Sequence, residues 1–119
     1  MEWAKASPEL SDFLGFALMD YPCEKKKMFG SPVYFINRNM FAGVQADNLF
    51  IRLSEPDRAE ILRTYDEVSI FEPVEGRKMK EYVVIPDSVM GNPEVLKEWL
   101  NRSFRYVSSL PPKEKTAKG

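Results

Sequence analysis

Histidine is absent from this 119-residue chain, and cysteine occurs once. Without imidazole there is no serine or cysteine triad built on histidine, no histidine-ligated zinc, no histidine-held haem and no histidine pH switch. The single thiol, Cys23, permits neither an internal disulfide nor a cysteine-cluster metal site. The six glycines are scattered along the chain, so no phosphate-cradling loop or dinucleotide fingerprint can be written. No apolar run reaches the length of about 18 residues that a membrane-crossing helix needs. Met1-Glu2-Trp3-Ala4-Lys5 lacks the contiguous apolar core of a secretion signal. A cytoplasmic location with no membrane contact is therefore expected, and one unpaired cysteine suits a reducing compartment.

What the chain does contain is enough for one folded domain. Hydrophobic residues make up 44% and charged residues 29%, a balance that supplies both a core and a soluble surface. The formal net charge of −1 is the sum of unlike parts. Residues 47–94 carry eleven acids and six bases, a net −5, whereas residues 95–119 carry two acids and six bases, a net +4. Near-neutrality thus excludes global steering of a polyanion, but not a local basic surface.

Ser7-Pro8-Glu9 has the chemistry of a helix start: a hydroxyl cap, a proline whose missing N–H costs nothing there, and an acid facing the helix dipole. Leu10, Phe13, Leu14, Ala17 and Leu18 follow at helical spacing, one apolar face running to about Met19. After Lys25-Lys26-Lys27 the pattern shortens to β segments. Met28 to Ile36 is expected as one strand kinked at Gly30-Ser31-Pro32, followed by Met40 to Val44 and Leu49 to Leu53, with turns at Asn37-Arg38-Asn39 and Ala46-Asp47-Asn48. Ser54-Glu55-Pro56-Asp57 opens a short helix to about Tyr65, expected to pack Ala59, Leu62 and Tyr65. Val68–Phe71 and Tyr82–Ile85 are two more strands around the loop 72–77. Asn92-Pro93-Glu94 starts a last helix whose inner face is Leu96, Trp99, Leu100, Ser103 and Val107.

The expected order is α-β-β-β-α-β-β-α: an α+β domain over residues 1–112, with a five-stranded antiparallel sheet made of a three-strand meander plus a hairpin, and flanking helices. No crossover is long enough for a parallel pair. Residues 113–119, with Lys113, Lys115 and Lys118, are expected as a flexible basic tail.

The residues that could carry chemistry are accounted for by structure. Glu55, Asp57 and Glu60, like Asp66 and Glu67, stand at a helix start and a polar turn, where acids belong. Cys23 has no histidine to act as its base and is expected to be structural. No catalytic, cofactor-binding or metal-binding residue is expected, and no cofactor. The candidate interaction surface is Lys25, Lys26, Lys27, Phe29, Arg77, Lys78 and Lys80, basic groups that would form a patch if their loops meet, although lysines on a sheet edge equally guard against edge pairing. Phe29, Tyr34, Phe35, Phe41 and Phe50 would be spread over both faces of a meander; an exposed aromatic face would mark a partner surface, although packing against the flanking helices accounts for most of them.

Met28-Phe29-Gly30, Phe35-Ile36, Met40-Phe41-Ala42-Gly43-Val44 and Leu49-Phe50-Ile51-Arg52-Leu53 together resemble the N-terminal domain family of the competence regulator TfoX, also called Sxy. The resemblance continues through Arg58-Ala59-Glu60, the stretch Gly76-Arg77-Lys78-Met79-Lys80-Glu81-Tyr82-Val83-Val84-Ile85-Pro86, and Glu94-Val95-Leu96-Lys97-Glu98-Trp99. It covers about residues 8–112 and implies a compact α+β domain standing alone, without the regulator's second domain. The chain departs from the family pattern at Ser31-Pro32, after Gly30, and at Asn37-Arg38, so no glycine-rich binding loop is implied. The expectation that follows is a non-enzymatic bacterial regulatory or protein-interaction domain whose partner is another protein or itself, as a homodimer. The alternative is a nucleic-acid-associated regulator that uses Lys25–Lys27 and the basic C-terminal end.

Overall fold

Helix α1 (Pro8–Ala17) begins where its cap chemistry dictates: the Ser7 hydroxyl accepts the Leu10 amide at 3.2 Å. Just before it, the Ser7 amide donates to the Ala46 carbonyl at 2.8 Å, which ties the helix entrance to a turn of the sheet. The computed structural model describes residues 5–28 and 30–112. Phe29 and the tail residues Lys113, Lys115 and Lys118 lie outside the described residues, as does the start of the chain.

Four strands follow as an antiparallel meander: β1 (Glu24–Met28), β2 (Ser31–Ile36), β3 (Asn39–Gln45) and β4 (Asn48–Arg52). Asn37 and Arg38 take φ of 51° and 69°, the paired positive values of a tight hairpin turn whose twist matches its strands. Helix α2 (Glu55–Thr64), strands β5 (Ser69–Val74) and β6 (Arg77–Val84), the single turn α3 (Asp87–Met90) and helix α4 (Pro93–Ser109) complete the described chain. The sheet order is β1-β2-β3-β4-β6-β5.

The α+β class and antiparallel sheet agree with the sequence reading, but the sheet has six strands, not five. The expected kinked strand over Met28–Ile36 is two strands joined by a turn at Gly30, where φ is 83°. The meander therefore has four members, and the order is α-β-β-β-β-α-β-β-α-α. The missed strand, Glu-Lys-Lys-Lys-Met, is an edge strand with a single neighbour and four exposed residues. Such a strand has no buried face to impose an apolar alternation.

The helices cover one face of the sheet. Leu14 and Leu18 from the first helix, Ile61 from the second, Val89 from the third and Leu96, Trp99, Leu100 and Val107 from the last pack with Tyr34, Phe41, Val44, Ile51 and Val83 into one core. The inner face of α4 is the predicted one, Ser103 included. In α2 the buried residue is Ile61; Tyr65 packs partly, whereas Ala59 and Leu62 are exposed, contrary to expectation. Ile61 is thus the helix's one buried side chain, and the charge contacts described below tie the helix to α4.

The opposite face is closed differently. Phe50 stacks on Phe71 with centroids 4.1 Å apart, and Tyr82 meets Phe50 edge-on at 5.9 Å. Register slips between Ile70 and Phe71 and again before Val74 break the β5–β6 hairpin, and Gln45 of β3 reaches the Pro73 carbonyl at 2.9 Å. These contacts bring the hairpin over the outer face. Gly43, opposite Phe50, is required there: a Cβ would stand 2.6 Å from the Phe50 ring.

Candidate functional site: the groove between α1 and α4

The predicted basic surface is divided by the strand order. Lys25, Lys26 and Lys27 lie on edge strand β1, and Arg77, Lys78 and Lys80 on β6, with β2, β3 and β4 between them in the sheet. All six are exposed, and among the described residues none makes an ion pair. The alternation of a strand splits the lysine run: Lys25 and Lys27, opposite Tyr34 and Pro32, share one face, while Lys26, opposite Val33, takes the other and sits 5.4 Å from the Phe35 ring. The seventh predicted member, Phe29, falls outside the described residues. Of the meander's other aromatics, Tyr34 and Phe41 join the helix-side core and Phe50 lies beneath the hairpin, so the sheet presents no continuous aromatic strip through them.

The carboxylates resolve in the same manner. Arg102 of α4 gathers Asp57 at 3.2 Å, Glu60 at 2.8 Å and Glu98 at 2.7 Å, and lies over the Trp99 ring at 4.4 Å. Hydrogen bonding to Arg102 holds the Glu60 carboxyl below its ordinary range. These acids neutralise a guanidinium that fastens α2 to α4. Among the described residues no group of three histidine, cysteine, aspartate or glutamate side chains is placed to hold a metal ion. Cys23 is half-buried, and burial pushes its thiol pKa up, away from the thiolate a nucleophile needs.

An apolar concave site lies elsewhere, and the sequence reading missed it. The C-terminal part of α1 and the first turns of α4 diverge to leave an apolar groove of about 540 Å³. Phe13 and Ala17 line it from α1, Leu96 and Leu100 from α4 and Met90 from α3, with Phe16 at its α1 rim. Phe16 is 75% exposed and Met19 66%, the two most exposed large apolar side chains among the described residues. The signal was present in the sequence. Phe16 falls off the Leu10–Leu14–Leu18 stripe, so α1 is apolar on more of its circumference than one core contact requires, and Met19 extends that apolar surface just past the helix end.

An aromatic group braces the groove from behind. Tyr21 packs on Phe104 at 5.3 Å and on Phe41 at 6.1 Å, and its hydroxyl donates to the Asn101 side-chain oxygen. Burial, aided by the negative charge of Asp20, raises the Tyr21 pKa, so the phenol stays a neutral donor. The remaining charged groups lining the groove are one carboxylate, Asp20, and one ammonium, Lys97. A locked phenol and two isolated charges supply no nucleophile–base pair; the arrangement is suited to binding.

The class so defined is an α+β domain with helices on one face of its antiparallel sheet, an aromatic cluster on the other, and an apolar groove between two helices. The chain belongs to the TfoX N-terminal domain family, whose model matches residues 17–106. Phe13 and Phe16 precede the matched stretch, whereas Met19, Leu96, Lys97 and Leu100 lie within it. No curated protein matches the chain significantly. No helix among the described residues is long and apolar enough to cross a membrane.

Proposed function

We propose that this chain is a non-enzymatic regulatory module of the bacterial cytoplasm that acts by protein contact, with its partner seated in the α1–α4 groove. The observation that carries the reading is the coincidence of the groove with Phe16 and Met19, apolar side chains left in water beside an apolar recess. Exposed apolar surface around a concavity is what a protein partner covers. Its regulatory half rests on membership of the TfoX N-terminal domain family. The nucleic-acid alternative gains no support from β1, because the three lysines do not share a face.

The test is photocrosslinking in cells from a benzophenone amino acid placed at position 16, with position 62 as control, since Leu62 is exposed but does not line the groove. Discrete protein adducts from position 16 and none from position 62 are expected. Equal labelling from both, or none from position 16, would overturn the reading.

A further inference from the structure

We infer that the partner in this groove is a second copy of the chain, docked about a two-fold axis so that Phe16 of each protomer enters the other's groove. The inference rests on the contact reading above and names its occupant. A two-fold contact uses one patch twice, so that patch must carry both a projection and a recess. Here Phe16 projects, 75% exposed, from the rim of a recess formed by Phe13, Ala17, Met90, Leu96 and Leu100.

The charges satisfy the same condition. Asp20 and Lys97 both line the groove, and neither has an ion-pair partner among the described residues. One acid and one base on a single patch complement that patch when it is rotated onto itself, Asp20 of one protomer meeting Lys97 of its partner, and the reverse. A foreign partner selected by charge would more simply meet a rim of one sign.

Self-association at the sheet edges is opposed. Antiparallel pairing of β1 with another β1 would bring two Lys25-Lys26-Lys27 runs together. Edge strand β5 contains Pro73, which lacks an N–H, and is broken by two register slips. A standard interface buries about 800 Å² per protomer, roughly a tenth of this chain's 7351 Å² surface. The contact must therefore extend from the groove over the outer sides of α1 and the first turns of α4.

Light scattering on the purified full chain, at protein concentrations from micromolar to hundreds of micromolar, tests this. The expected species has twice the 13.8 kDa chain mass. Phe16→Glu should return it to monomer with an unchanged far-ultraviolet circular dichroism spectrum. Asp20→Lys and Lys97→Asp should each weaken the dimer about tenfold, and the double variant should recover most of that loss. A strict monomer across the whole range overturns the inference, as does a dimer indifferent to all four variants. If position 16 crosslinks in cells to a protein that is not a second copy, the contact reading survives and the second copy does not.

Discussion

Helices α1 and α4 begin with the same grammar and end in different circumstances. Each opens on a capping side chain, then proline, then glutamate, and in each the cap accepts the amide three residues on: Ser7 from Leu10 and Asn92 from Val95. Helix α4 then shows one apolar stripe to the core and turns its other side to charge, with Arg102 clasping Asp57, Glu60 and Glu98. Helix α1 has Leu14 wholly buried on one side and Phe16 standing in water on the other. The contrast teaches that local start signals specify that a helix forms, while the breadth of its apolar surface reports how many partners it has.

The largest effect that separates the two sides of α1 comes from Leu14, which has no exposed surface. Leu14→Ala should lower unfolding free energy by about 3 kcal/mol, as truncation of a buried leucine does when the cavity cannot collapse. Chemical denaturation would measure it.

An intermediate effect belongs to α4. Arg102→Ala removes three carboxylate contacts and the cover of Trp99, and should cost about 1 kcal/mol at neutral pH. Because the Glu60 carboxyl pKa is lowered in the folded chain, its contribution is present above the ordinary carboxylate range and is lost as pH falls through the folded value. The gap in melting temperature between parent and variant should therefore close in acid. A gap independent of pH would show that the cover of Trp99 within α4, not the ion pairs to α2, accounts for the loss.

The smallest effect is the most informative for the groove. Phe16→Ala should change the stability of the isolated protomer by no more than about 0.5 kcal/mol, the usual range for an exposed position. A loss approaching that of Leu14→Ala, measured on protein dilute enough to be monomeric, would make Phe16 a core residue and erase the distinction between the two sides of the helix.

Much of this architecture was legible in the sequence. The period of Leu96, Trp99, Leu100, Ser103 and Val107 gave the inner face of α4, and the cap–proline–acid triplets gave the starts of α1 and α4. The family resemblance, carried by the ordered β segments, agrees with the match over residues 17–106. Strand β1 was illegible because an exposed edge imposes no alternation. The outer aromatic cluster was illegible because it depends on where β5 slips against β6, a fact about two strands that neither records alone. Phe16 is illegible to periodicity, which selects residues that share a stripe and discards those that do not.

The tip of the β5–β6 hairpin offers a practical handle. At Gly76, where φ is 84° and open space surrounds the position, the backbone amide donates to the Glu72 carboxylate at 2.6 Å. No residue of the hairpin lines the α1–α4 groove, so a fluorophore or affinity tag inserted beside Gly76 leaves that groove unobstructed. Energy transfer between two such tips would then report assembly of labelled chains without a probe at the contact itself.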